Sequence, residues 1–248
     1  MSALLFDLGN SRWKLARADG DDIGSVVYGA YGDDAALRSA VMRESGGVSA
    51  IWLASVVDRL TTMRTIAMLE EMFPMSVQTV KSTDPMPNVV SGYHHPEQLG
   101  IDRLLAMVAA RAATLQPLCV VDAGTATTID FVDTEGQHLG GFIMPGTKMF
   151  RDCLLANTSI PRDERVEDGA IVGRDTPTAV ALGGLYAVAA TVEHFVRGDT
   201  SLFTGQTAHV FVGGGDAERF LDLLPQPCTK LDHLVLRGLA VIAADGDS

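Results

Sequence analysis

Two short runs in this 248-residue chain combine a carboxylate, a glycine and a hydroxyl at the end of an apolar stretch. Residues 3–11 read ALLFDLGNS, a strand pattern running into Asp7, Gly9 and Ser11. Residues 118–128 read LCVVDAGTATT and repeat the plan through Asp122, Gly124 and Thr125. A turn of this kind presents backbone N–H groups and a hydroxyl to a phosphate chain. Glycine admits close approach, and the carboxylate can orient Mg2+ or water on the phosphates. Each run continues into a second strand pattern, Trp13–Ala16 in one and Ile129–Val132 in the other. One such motif alone is compatible with a plain tight turn. Two in matching context predict facing loops that clamp a nucleotide. Gly213-Gly214-Gly215, following the strand pattern at 209–212, would let adenine or ribose lie against bare backbone. Neither G-x-x-x-x-G-K-[ST] nor a G-x-G-x-x-G after the first strand is present.

A second constellation, Gly100-Ile101-Asp102-Arg103, sits at the first turn of a helical pattern behind a proline-rich loop. Asp102 suits the role of acceptor for a substrate hydroxyl proton. Arg103 is a planar fork for a carboxylate or a phosphate. Acids also favour a first turn for electrostatic reasons alone. Tyr93, on the loop ahead of Asp102, either walls a small-molecule pocket or anchors the loop. His94-His95 has Glu97 nearby but no further ligand at zinc spacing, so the pair reads as loop.

The elements that must position these residues alternate between strand and helix. Residues 50–57 read as a buried parallel strand and 61–73 as an amphipathic helix behind it. Pro85, Pro87 and Pro96 hold a loop open over about 82–97. From 98 to 115, Ile101, Leu104, Leu105, Val108 and Ala112 keep helical spacing. Residues 140–146 form a strand and turn before a helix at about 148–157; further helices are expected at 177–195 and 234–244. The repeat predicts two α/β domains of similar fold, 1–116 and 117–248, with the boundary near Gln116-Pro117.

Composition narrows the setting. Hydrophobic residues make up 47% and charged residues 20%, which is globular. Lys plus Arg is 19 against 31 Asp plus Glu, a net charge of −12 that argues against nucleic-acid and membrane partners. Three scattered cysteines offer neither a zinc spacing nor a disulfide framework, in keeping with a reducing cytoplasm. The first residues lack a basic n-region, so no signal peptide is expected, and no apolar run is expected to reach membrane length. The ten methionines are scattered and read as core filler.

Taken in order, Asp7-Leu8-Gly9-Asn10-Ser11 with Lys14, Gly92-Tyr93, Gly100–Arg103, Asp122–Thr125, Gly141–Gly146 and Gly173-Arg174-Asp175-Thr176 resemble the type III pantothenate kinases. The likeness runs from residue 7 to about 215. It implies an α/β fold of two ribonuclease-H-like, actin-like domains facing across a nucleotide cleft. It also implies a homodimer and ATP-dependent phosphorylation of pantothenate, the first step of coenzyme A synthesis. On this resemblance Asp7, Leu8, Gly9, Asn10, Ser11, Arg12, Trp13 and Lys14 match the first phosphate loop. Gly124 and Thr125 belong to the second, and Gly213 and Gly214 to the adenosine side. Asp102 matches the catalytic base. Tyr93, Gly100, Ile101, Asp102, Arg103 and Thr176 match the pantothenate pocket. Asp122 matches the carboxylate of a monovalent-cation site, K+ or NH4+, beside Mg2+ on the ATP. Ser11 stands where many members have Thr, and Val212 where a hydroxyl often precedes the glycine run. The same fold also hosts other kinases, phosphatases and non-catalytic nucleotide-binding regulators.

Overall fold

The computed structural model describes residues 2–162, 165–197, 202–203 and 205–246. The chain divides into two compact units: 1–115 with 135–138 and 233–248, and 116–134 with 139–232.

In the first unit, β1 (Ser2–Leu8) carries Leu4, Leu5 and Phe6, all fully buried, as expected of a central strand. It pairs antiparallel with β2 (Trp13–Asp19), which is followed by the short edge strands β3 (Asp22–Ile23) and β4 (Val27–Gly29). Helix α1 (Asp34–Glu44) is capped by the Asp33 carboxylate and leads to β5 (Ala50–Ser55), parallel to β1. The Asp58 carboxylate caps α2 (Arg59–Met72), and β6 (Val77–Thr79) completes the strand order β3-β2-β1-β5-β6. After a 3-10 turn at 96–98 comes α3 (Ile101–Ala113).

Helix α3 is buried more completely than a one-sided stripe requires. Ala106, Met107, Ala109 and Ala110 are buried, whereas Ala112, expected on the apolar face, is exposed. The cause is the last helix of the chain. Leu234–Asp245 packs along α3, and Gly238 sits so close that a Cβ there would stand 2.2 Å from the Leu105 carbonyl oxygen. That helix was expected in the second half of the chain at 117–248. Its burial of Leu236, Leu239 and Ala240 puts it in the first unit instead.

The second unit repeats the plan. Central β7 (Leu118–Ala123) pairs antiparallel with β8 (Ala126–Val132), which neighbours β9 (His138–Pro145). Helices α4 (Thr147–Asn157) and α5 (Thr176–Val196) follow. Then β10 (His209–Gly213) runs parallel to β7, and β11 (Cys228–Lys230) parallel to β10. The closing helix at 234–245 is α6. The order β9-β8-β7-β10-β11 mirrors that of the first unit. At 21 residues, α5 is long and apolar enough to span a bilayer, contrary to the expectation that no run would be. Its Leu185, Val188 and Val192 fill the core of this unit, packed with Phe131, Val210 and Phe220.

Candidate active site

The first phosphate turn is set by strand register. Asp7 pairs with Lys14 and Leu8 with Trp13, which leaves residues 9–12 as the connection. Asp7 is 3% exposed and takes the Lys14 Nζ at 2.9 Å, so the buried carboxylate is charge-paired. Residues 10–12 are exposed, and the Arg12 guanidinium lies 5.2 Å from the Tyr28 ring centre. The side chains of Leu8 and Trp13 belong to the core, leaving their backbone to face the turn.

Asp102 stands at the second position of α3, where the Gly100 cap contributes no side-chain hydrogen bond. Its Oδ1 accepts the Arg103 backbone N–H at 2.9 Å. A Cβ on Gly100 would lie 2.4 Å from that oxygen, so this glycine makes room for the carboxylate. Burial raises the Asp102 pKa above the usual carboxylate range, and the charge of Asp7 adds to the rise. The Arg103 N–H bond and the Arg103 guanidinium oppose it. Asp102 therefore senses the charge of Asp7, although 95 residues separate them in sequence.

Arg103 is 4% exposed, and its Nη1 donates to the Tyr93 hydroxyl at 2.7 Å. The Tyr93 ring stacks on His138, with centres 5.7 Å apart at 16°. The loop carrying Tyr93 is pinned by a strand-like exchange. Val90 N–H donates to Gly136 O and His138 N–H to Val90 O, both at 2.9 Å. Gly92 permits the contact, because a Cβ there would fall 1.9 Å from the His138 carbonyl oxygen. The side chain of Ile101 is core, so only its backbone can face a ligand. His95 Nδ1 meets Glu97 at 3.4 Å, with both side chains exposed.

In the second unit, Gly124 N–H donates to Ala126 O at 3.1 Å across the β7–β8 turn, leaving Thr125 exposed. Two further turns close on this one. Gly146 N–H donates to Thr125 O at 3.2 Å, and a Cβ at 146 would be 2.3 Å from Gly124 O. Asp216 N–H donates to Ala123 O at 3.1 Å. Gly214 has φ +91°, and a Cβ there would lie 2.6 Å from Asp122 Oδ1. The glycine run thus stands against the Asp122 carboxylate. Thr147 donates to the Asp216 carboxylate and accepts from Arg219 Nη1 at 3.1 Å.

Thr176 is exposed at the start of α5, where the Asp175 carboxylate accepts the Thr178 N–H at 2.8 Å. A cavity of about 260 Å3 lies beside it, lined by Pro177, Val180, Thr147, Lys148, Arg151 and Arg219 among others. Sequence reasoning missed Tyr31, His138 and the Thr147–Asp216–Arg219 group, and placed Gly146 in a turn and a family motif without giving it a site role. Only Gly146, in a Pro-Gly pair before a helix, carried a local signal.

The sequence profile of the type III pantothenate kinases matches residues 3–198. The type III pantothenate kinase of Nitrosococcus oceani is 33% identical over 98% of this chain and 94% of its own. That of Azoarcus sp. is 35% identical over 97% and 90%. Among solved structures, a conserved Campylobacter jejuni protein provisionally assigned to the Baf family of transcriptional activators matches with a TM-score of 0.63. It is 19% identical and the match covers 99% of this chain and 100% of its own. The activator of 2-hydroxyisocaproyl-CoA dehydratase from Clostridium difficile, solved with bound ADPNP, has a TM-score of 0.57 at 11% identity. That match covers 99% and 95%. With the mirrored strand orders, these likenesses identify two ribonuclease-H-like units of the actin-like fold. Matched by the profile over most of its length and by curated relatives nearly end to end, the chain belongs to the type III pantothenate kinase family.

Proposed function

We propose that this protein transfers the γ-phosphoryl group of ATP to the primary hydroxyl of pantothenate, giving 4′-phosphopantothenate and ADP. The observation that carries the reading is the Asp102–Arg103 pair at the start of α3. It sets a half-buried carboxylate beside a guanidinium held by Tyr93, with the Asp7–Lys14 turn in the same unit.

The reaction needs positioning and charge neutralisation more than covalent help. We assign a phosphate-binding role to the turn at 9–12 of the first unit and, separately, to the turn at 124–125 of the second, with the exposed Ser11 and Thr125 as hydroxyl donors. Arg103 holds the pantothenate carboxylate and Tyr93 fixes Arg103. Asp102 accepts the hydroxyl proton as the O–P bond forms and the bond to the ADP oxygen breaks. The buried Asp7 carboxylate, whose charge Asp102 senses, is a hard-oxygen ligand suited to a divalent cation. Mg2+ bound there supplies charge neutralisation on the phosphates. In the second unit we assign a monovalent cation, K+ or NH4+, to Asp122. An acidic chain in coenzyme A synthesis fits a cytoplasmic homodimer with no nucleic-acid or membrane partner.

The test is purified protein with ATP, Mg2+ and K+, assayed with and without pantothenate. ADP release that requires pantothenate supports the kinase. Equal release without it would make the protein a hydrolase, and no release with retained nucleotide binding would make it a regulator.

A further inference from the structure

The segment after β4 reaches back to the first phosphate turn. Gly29 pairs with Trp13, and a Cβ at 29 would stand 2.3 Å from the indole, so glycine lets the ring lie across the strand. The Trp13 Nε1 then donates to the Ala30 carbonyl at 3.1 Å and fixes the chain as it leaves β4. The next side chain, Tyr31, packs on the apolar cluster of the first unit and donates its hydroxyl to the Gly9 carbonyl at 2.7 Å. Burial, reinforced by the charge of Asp7, pushes the Tyr31 hydroxyl pKa far up, so it remains a donor throughout the physiological range.

That one bond orients a whole peptide group. The Gly9–Asn10 peptide is trans. Its carbonyl and the Asn10 N–H therefore point to opposite sides of one plane. With the carbonyl held on the interior side, the N–H faces the exposed side of the turn. If the plane flipped, a carbonyl dipole would face the phosphates and repel them. We propose that Tyr31 is a positioning residue of the first phosphate loop, holding the Gly9 carbonyl so that the Asn10 N–H is aimed at the phosphates of ATP. The proposal rests on the kinase reading only in taking this turn as a phosphate loop.

The experiment compares Tyr31→Phe, which keeps the ring, with Leu37→Val, which loosens the same apolar cluster without touching the hydroxyl. Binding of Mg2+ with a non-hydrolysable ATP analogue is titrated calorimetrically without pantothenate, and KM values are measured alongside. Tyr31→Phe should weaken analogue binding about 3- to 10-fold, the scale of one neutral hydrogen bond. Its pantothenate KM should stay within about twofold of wild type, because the acceptor pocket is untouched. Leu37→Val should lower the melting temperature and leave analogue binding unchanged. Unaltered binding in Tyr31→Phe, or equal weakening in both variants, would overturn the proposal. If wild type binds the analogue but never phosphorylates pantothenate, the kinase reading falls while the two affinities still decide the role of Tyr31. If wild type binds no nucleotide, both fall.

Discussion

As the proposed base, Asp102 has to be ionised in a place that disfavours ionisation. Burial and Asp7 raise its pKa, while the Arg103 N–H, the Arg103 guanidinium and its own backbone N–H pull it back. Protonation on acidification should therefore cost activity at a pH above the ordinary carboxylate range. Because the folded-state value is raised, the charged form penalises folding, and the penalty disappears as pH falls through that value. Asp102→Asn should accordingly lose about 10²- to 10⁴-fold in turnover, the usual scale for a positioned base. It should also melt above wild type at neutral pH, with the gap closing in acid. Turnover within about threefold of wild type would remove Asp102 as base. Arg103→Lys should raise the pantothenate KM about tenfold or more, since a point charge cannot replace a fork already engaged with Tyr93. A loss of ATP affinity instead would move Arg103 to the phosphate side. Asp122→Ala should abolish the stimulation by K+ or NH4+ over a Na+-only buffer, and equal rates in all buffers would take the cation out of the mechanism. Asp7, Asp102 and Arg103 were legible in the sequence because each sits in a short local pattern. Tyr31 and His138 were not, because each works on a group brought near only by folding, 22 residues away in the case of Tyr31 and Gly9.

Elements set the precision of these side chains, and Gly100 shows how. It caps α3 at φ −57° and ψ 131°, a conformation alanine adopts without strain, so Gly100→Ala leaves the helix start intact. The new Cβ, however, would meet the Asp102 carboxylate oxygen at 2.4 Å. The carboxylate must move and the backbone need not. Turnover should fall about 10- to 100-fold, the cost of an ångström-scale misplacement, with the melting temperature nearly unchanged. Turnover within about twofold would show that the carboxylate has room to spare. The sequence yielded the central strands and the long helices because their periodicity spans several turns or alternations. It did not yield β4, β6 and β11, which at three residues each are too short to show a period. Helix α1 was missed for a related reason: only Leu37, Ala40 and Val41 of its eleven residues are buried. The placement of α6 was illegible because its apolar face fits either unit by composition. The close approach of Gly238 to Leu105, with the burial of Leu236, Leu239 and Ala240, decides it.

At the scale of the whole molecule, the second unit carries more apolar surface than its own core uses. Ile143, Ile171 and Val172 are each at least 65% exposed, and α5 shows solvent Gly183, Tyr186 and Ala190 while Leu185 and Val188 face inward. A surface of this kind fits a second copy of the chain. In the homodimer proposed above, Thr176 of one subunit would join the pocket of Asp102 of the other. Gly184 does not belong to that surface, because it is buried against Phe150 of α4. The shared pocket is tested by mixing two broken proteins. Asp102→Asn and Thr176→Arg, each inactive alone, are unfolded together, refolded and assayed as a mixture. Random pairing makes about half the dimers mixed, and in a shared site each mixed dimer regains one unmutated pocket of its two. The mixture should then recover roughly a quarter of wild-type activity. If both residues come from one chain, every pocket in the mixed dimer keeps one broken residue. Background activity from a normally formed dimer would therefore rule out the shared pocket and return Thr176 to the same subunit as Asp102.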